Sequence, residues 1–217
     1  MSDEARQLRA GAAALGVALD DPQAALLLRL LDELAQWNQA YNLTAITDRA
    51  AMRTQHLLDS VAGSRFVAGA RVLDLGTGAG FPGLPLALVH PHRHFTLLDG
   101  TAKKVRFVAH AARTLGLGNV EAVHGRAGDW QPAEPFDQVL ARAVATTAEL
   151  AALARPLLRP GGRLLAWKGQ RREAEAELAA LRGQAGAAEA WGDARIEDVQ
   201  VPGLDAERCL VAVSLRA

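Results

Sequence analysis

Cysteine is almost missing from this chain: Cys209 is the only one in 217 residues. That excludes an intramolecular disulfide and any multi-cysteine zinc site, and a reducing, cytoplasmic setting is expected. No apolar run approaches the ~20 residues that a membrane span requires. Acidic residues, Asp3 and Glu4, stand near the start, where a signal peptide would carry basic ones. No membrane association is expected. Lysine is scarce too. Lys103, Lys104 and Lys168 are the only three among 24 basic residues, so the other 21 are arginines. Net charge is absent, with 24 basic residues balanced by 24 acidic ones. This removes the simplest argument for a nucleic-acid binder, a strongly basic isoelectric point.

What the chain has in quantity is apolar surface and segregated charge. Half of it is hydrophobic, enough for a sizeable core. Residues 1–70 carry six basic and eight acidic groups, residues 71–172 carry fourteen and seven, and residues 173–217 carry four and nine. The balance of zero therefore conceals a basic middle block. Arginine suits phosphate because its planar fork donates two parallel hydrogen bonds.

Asp21-Pro22 reads as a helix start, with a capping carboxylate and proline at the first helical position. Leu27, Leu30, Leu31, Leu34 and Trp37 recur at helical spacing to about residue 40. After the polar turn Asn42-Leu43-Thr44, a second helix is expected from Asp48 to about Ser60. Beyond Gly69 short β-rich runs alternate with helical segments. Strands are expected at 72–75, 95–99, 120–124, 138–141, 163–167 and 209–215. Helices are expected after the glycine-rich turn (carrying Leu84, Leu86 and Leu88), over 103–115, over 148–158 with a stop at Pro160-Gly161-Gly162, and over 173–181. This alternation predicts an α/β fold with a mostly parallel, doubly wound sheet (67–217) behind a helical N-terminal extension (1–66), as one compact unit. Such sheets bind ligands beyond the carboxyl ends of their strands, near the switch point.

The glycine-rich turn Asp74-Leu75-Gly76-Thr77-Gly78-Ala79-Gly80-Phe81-Pro82-Gly83 follows a strand and opens a helix. Asp99 ends the next strand, where its carboxylate could accept both hydroxyls of a ribose. Two ligand classes match: Gly78-x-Gly80-x-x-Gly83 fits the dinucleotide fingerprint, and the frame Asp74 to Gly80 fits the loop that holds S-adenosylmethionine. Asp74 discriminates between them. A carboxylate beside the loop suits a cationic sulfonium and is a poor neighbour for a pyrophosphate. Pro82 and Pro85 also remove amide donors that a phosphate cradle would use.

The chain resembles the bacterial 16S ribosomal RNA (guanine-N7) methyltransferase G family, also called glucose-inhibited division protein B. The resemblance runs from about Leu31 to Val213. It rests on Trp37-Asn38 with Asn42-Leu43-Thr44, His56-Leu57-Leu58-Asp59-Ser60, the loop 74–83, Leu98-Asp99, Lys103-Lys104, Arg126-Ala127, Arg142-Ala143 and Trp167-Lys168-Gly169. It implies a class I S-adenosylmethionine-dependent methyltransferase with a Rossmann-like seven-stranded sheet whose last strand is antiparallel. It carries cofactor contacts onto Gly76, Phe81, Ala127, Gly128 and Arg142, beside Asp74, Gly78 and Asp99. The implied substrate is N7 of a guanine in the decoding-region (530-type) loop of 16S rRNA, as free RNA or in the small ribosomal subunit. The chain departs from the family pattern at Gly128, where an acid is usual, and at Gly100 and Ala141, where serine is usual. Asp129 stands beside the first of these.

The residues bear on the chemistry directly. Carbon-5 methylation of a pyrimidine needs a cysteine nucleophile, and Cys209 lies far along the chain from the end of strand four. The Asn/Asp-Pro-Pro-aromatic box of exocyclic amine methylation is replaced by Ala141-Arg142-Ala143. Guanine N7 carries a lone pair and no proton, so no general base is expected. Arg142 and Lys168 are expected to position substrate, with Asn42, His56 and Arg171 as further substrate contacts, and Arg172 extending a phosphate track. His56 and Asp59 stand three apart, the spacing of a local ion pair. No metal is expected at His90-x-His92-x-His94, and the chain is expected to act as a monomer. A small-molecule or protein acceptor on the same fold, or a cofactor-binding regulator without turnover, are the rival readings.

Overall fold

The architecture, from a computed structural model, is described for residues 2–142 and 145–216, so Ala143 of the Arg142-Ala143 pair lies outside the described residues. Seven strands are arranged in one sheet: β1 (Arg71–Leu75), β2 (His94–Asp99), β3 (Val120–His124), β4 (Phe136–Arg142), β5 (Leu158–Lys168), β6 (Trp191–Asp198) and β7 (Cys209–Leu215). Their order is β3-β2-β1-β4-β5-β7-β6. β1 pairs in parallel with both β2 and β4. β7 is antiparallel to both of its neighbours. The chain reverses its direction of travel across the sheet between β1 and β4. The crevice at their carboxyl ends is therefore the switch point at which such sheets take ligands.

Alternate residues of each strand go to opposite faces, as a pleat requires. Val72, Phe95, Leu97, Leu140, Leu165 and Leu210 join one apolar cluster. Leu73, Leu98, Val139, Leu164, Val211 and Val213 join the other. The first face is covered by α5 (Gly83–Val89), α6 (Ala102–Thr114) and the N-terminal helices. The second is covered by α7 (Thr147–Ala154), α8 (Arg171–Arg182) and α9 (Ala187–Ala190).

The N-terminal segment folds as α1 (Asp3–Ala14), α2 (Asp21–Tyr41), α3 (Arg49–Met52), a π-helical turn (Arg53–Leu58) and α4 (Asp59–Val61). The cap of α2 is Asp20 and not Asp21. Its carboxylate accepts from the Gln23 amide at 2.7 Å, and the Gln23 side chain accepts from the Asp20 amide at 3.1 Å. Leu27, Leu30, Leu31 and Leu34 are fully buried, as the periodicity predicts.

Two expectations are corrected. The helix expected over 148–158 ends at Ala154 and passes through a 3₁₀ turn, Arg155–Leu157. Pro156 has no amide proton to give the helix and disfavours helical geometry at the residue before it. Pro160-Gly161-Gly162 does not stop a helix; it lies inside β5, where the pairing register with β4 shifts between Leu158 and Arg163. The periodicity places no strand at β6, the seventh that the resemblance implies. β6 is an edge strand whose exposed positions are Asp193, Arg195 and Asp198, so its apolar signal is faint.

Candidate active site

The loop between β1 and α5 is shaped by backbone that only glycine adopts freely: Gly76, Gly78 and Gly80 have φ of 68°, 61° and 87°. Asp74 anchors it from below. Its side chain is completely buried, and Oδ2 accepts from Thr77 Oγ1 at 2.6 Å and from the Gly83 amide at 2.8 Å. The other oxygen, Oδ1, is buried with no partner. Burial pushes the Asp74 carboxyl up to about 6, against the pull of the Thr77 and Gly83 hydrogen bonds and of Arg142. Asp99 ties the loop to β2: Oδ2 accepts from the Gly78 amide at 2.9 Å and Oδ1 from the Thr101 amide at 2.8 Å. Lys104 Nζ stands 4.0 Å from the same carboxylate.

A cavity of about 570 Å³ opens above the loop. The loop residues Gly76, Thr77, Gly78 and Phe81 form its floor. Leu43, Thr44, His56 and Asp59 of the N-terminal segment, with Arg142, Trp167, Lys168 and Arg208, form its walls. The side chain of Asn38, reached from α2, sets the turn that brings Leu43 and Thr44 in. Its Oδ1 accepts from both of their amides and its Nδ2 donates to the Thr44 carbonyl. Asn42 supplies the left-handed residue (φ 48°) that the same turn needs and is exposed.

His56 projects from the π-helical turn, a local geometry often found at functional sites. Its ring stacks on Phe81, 4.6 Å between centroids and 16° between planes, and Nε2 lies 3.1 Å from Thr44 Oγ1. Nδ1 is buried without a partner. Burial, reinforced by the nearby Arg142 charge, lowers the His56 pKa to about 4, so the imidazole is neutral at physiological pH.

The local ion pair that the three-residue spacing of His56 and Asp59 allows does not form. The i→i+5 bonding of the π-helical turn alters the stagger on which i, i+3 contacts depend, and Asp59 turns to two arginines. Its side chain is only 2% exposed; Oδ2 accepts from Arg142 Nη1 at 2.9 Å and Oδ1 from Arg208 Nε at 2.6 Å. The Asp59 carbonyl accepts from Trp167 Nε1 at 2.8 Å. Asp59 thus joins the N-terminal helices to the ends of β4 and, just before it starts, β7 through its carboxylate, and to the end of β5 through its carbonyl. Lys168 is also held: Nζ donates to Glu177 Oε2 and to the Ala145 carbonyl, both at 2.7 Å. Arg208 and Glu177 escaped the sequence reading, and Asn38 entered it only within the Trp37-Asn38 stretch that carries the resemblance. Of these, only Asn38 had a usable signal, a polar residue late in an amphipathic helix and four before a turn asparagine.

The remaining expected contacts lie elsewhere. Ala127 and Gly128 line a neighbouring cavity of about 510 Å³ together with Trp130 and Pro156. Arg171 pairs with Glu175 and Asp198 and lines a third cavity, beside Gly169 and Arg208. His90 bonds Ser64 Oγ at 2.9 Å. Among the described residues no three metal-ligating side chains cluster, and no helix is long and apolar enough to cross a membrane.

The floor fits a cationic nucleotide-like ligand. A Cβ built on Gly78 would meet nothing within 4 Å, so open space lies directly above that backbone. Behind the loop, bonded to Thr77 and Gly83 and not itself lining the cavity, sits the buried Asp74 carboxylate with an unused oxygen. Asp59 offsets one of the two positive charges of Arg142 and Arg208, which reduces but does not remove their repulsion toward a cationic ligand.

The charge states of His56 and Asp74 lead to a stability prediction. His56 has its folded pKa depressed from 6.5 to about 4, so its contribution is present above pH 6.5 and is lost as pH falls toward 4. Asp74 has its folded pKa raised from 3.8 to about 6, so its contribution is present below pH 3.8 and is lost as pH rises through 6. The two oppose each other over most of the same window. The His56→Gln variant removes one of them. In urea titrations, the stability advantage of wild type over His56→Gln is expected to shrink by about 3 kcal/mol between pH 6.5 and 4. A difference that does not change with pH contradicts the burial argument.

The chain matches the family model described as rRNA small subunit methyltransferase G over residues 23–190. It is 48% identical over 203 residues to ribosomal RNA small subunit methyltransferase G of Methylococcus capsulatus, covering 94% of this chain and 95% of the relative. Among solved structures, cofactor-bound Rv0187 from MTB aligns over 91% of each chain with a TM-score of 0.60 and 22% identity. The tRNA (m1A58) methyltransferase TrmI of Aquifex aeolicus aligns over 74% of this chain and 69% of its own, with a TM-score of 0.58 and 14% identity. The structural likenesses establish the fold, the seven-stranded sheet of the class I methyltransferases.

Proposed function

The chain belongs to the rRNA small subunit methyltransferase G family, and from that premise we propose that it methylates N7 of a guanine in the decoding-region (530-type) loop of 16S rRNA. It is an S-adenosylmethionine-dependent rRNA methyltransferase. The observation that carries the finer reading is the cavity wall. It offers two anchored guanidiniums and an imidazole of low basicity, its carboxylates Asp59 and Glu177 are committed to Arg142, Arg208 and Lys168, and of its acidic lining only exposed Glu173 is left to serve as a base. An acceptor nitrogen with a free lone pair needs none.

Gly76, Gly78, Phe81 and Asp99 would hold the cofactor; Asp99 is bonded to the Gly78 and Thr101 amides in this structure and would have to share or give up one of these bonds to accept from a ribose, with Asp74 supplying negative charge behind the loop. Ala127 and Gly128 would reach the adenine end from the β3–β4 connection. S-adenosylmethionine, when bound, supplies a methyl group activated by its sulfonium charge. The residues do the rest by positioning. Arg142 is held by Asp59 and the Gln55 carbonyl, 5.7 Å over the Phe81 ring, and would present its remaining donors to the guanine O6, leaving the N7 lone pair free. Lys168, fixed by Glu177, narrows the rim. The buried stack of His56 on Phe81 excludes water and adds no positive charge. The target base must leave its stack to enter a cavity of this depth. One copy of the chain is enough to form this site.

Given methyl-labelled cofactor and small-subunit rRNA, the protein is expected to transfer label, with an apparent RNA affinity that falls steeply with salt. Label accepted only by a protein or a small molecule, with a flat salt dependence, contradicts the RNA reading.

A further inference from the structure

Among the described residues, Tyr41 is the single large hydrophobic side chain that is exposed, at 39%. It ends α2, one residue before the turn whose Leu43 and Thr44 enter the cavity wall. Its ring is the outer leaf of an aromatic ladder. Buried Phe107 packs on Trp37 at 5.7 Å, and Trp37 packs on Tyr41 at 5.2 Å. The ladder is closed by the core at one end and open to solvent at the other.

The second observation is charge. Lys103, Arg106, His110 and Arg113 succeed one another at three- and four-residue steps, and so share one face of α6. Lys103 Nζ donates to the Tyr41 carbonyl at 2.7 Å, which sets the head of this stripe against the open ring. His110 is bound to Glu33 of α2. Arg106 and Arg113 have no carboxylate partner among the described residues. The rim on the other side, near Arg208, carries Asp205, Glu207 and an Asp198 that is paired with Arg171, and so offers phosphate fewer uncompensated cations. An exposed aromatic plane beside unpaired cations is the combination that single-stranded RNA uses, base on ring and phosphate on cation.

We propose that Tyr41 is a stacking shelf for a nucleotide flanking the target guanine, and that the strand leaves the cavity along α6 with its phosphates on Lys103, Arg106 and Arg113. The proposal rests on the RNA reading above and adds the direction from which the RNA arrives. It makes Tyr41 a substrate contact separate from the cofactor floor.

The test compares wild type, Tyr41→Ala, Tyr41→Trp and the double variant Arg106→Ala/Arg113→Ala, using small-subunit rRNA as substrate and calorimetry for cofactor affinity. Tyr41→Ala is expected to raise the KM for RNA about tenfold while cofactor affinity stays within about twofold, and Tyr41→Trp is expected to restore the KM. The double variant is expected to lower the slope of log affinity against log salt by about 2. An unchanged KM in Tyr41→Ala, with wild type active on RNA, overturns the shelf and leaves the RNA reading standing. Equal losses of RNA and cofactor affinity also overturn it, because they mark a structural role. A wild type that labels no RNA overturns the functional reading instead.

Discussion

Replacing Asp59 by alanine is expected to lower the free energy of unfolding by about 3–5 kcal/mol, and to abolish methyl transfer in the molecules that remain folded. The carboxylate is 2% exposed and both its oxygens are bonded to arginines, whose own side chains are 16% and 22% exposed. Its removal leaves two mostly buried guanidiniums facing each other without a counter-charge, the expensive half of a broken buried pair. Their residual access to water places the cost toward the lower end of that range. The loss also frees α4 from β4 and β7. Asp59→Asn keeps the shape and one acceptor oxygen, and is expected to retain more stability than alanine while still failing to orient Arg142. Denaturant unfolding checks the first effect and single-turnover label transfer the second. A variant as stable and as active as wild type would show that the hub is dispensable.

The second large effect lies in the glycine loop. Gly78→Val is expected to lower S-adenosylmethionine affinity at least about a hundredfold, roughly 2.7 kcal/mol, while the protein stays folded. Gly78 has φ of 61°, where a β-branched residue costs about 1–2 kcal/mol. A side chain there meets no protein atom within 4 Å, so it crowds none of the core and fills the space above the loop. It also disturbs the amide that Asp99 accepts from. Gly116→Val is the matched control. It has φ of 69° and open surroundings at the far end of α6, so it carries the same backbone strain and is expected to leave cofactor affinity unchanged. Calorimetry on the two variants separates strain from occlusion; equal affinities would place the ligand elsewhere.

Much of the fold was legible because local and global preferences agree in it. The runs at 72–75, 95–99, 120–124 and 209–215 are short, apolar and bounded by glycine or polar turns, and each is a strand. The leucine spacing of α2 is as regular as its burial. The failures have physical causes. β6 is an edge strand with charges on its open side, so its periodicity is weak. β5 begins before Pro160 because a register shift accommodates the proline, and such a shift has no signature in a single sequence. The glycine loop announced its ligand class through residue types. The acceptor side did not. Asp59 meets Arg142 across 83 residues and Arg208 across 149, and only the folded sheet brings their three segments to one rim. Local spacing suggested His56 as its partner, a contact the π-helical turn prevents.

The central claim is that this cavity delivers a methyl group to a purine nitrogen of small-subunit rRNA that carries no proton. The most direct measurement is nucleoside analysis of that RNA after reaction with the purified protein and methyl-labelled S-adenosylmethionine. Label recovered as N7-methylguanosine, lost in Arg142→Ala, is the predicted result. Label recovered on a ribose, a pyrimidine carbon or an exocyclic amine would contradict it.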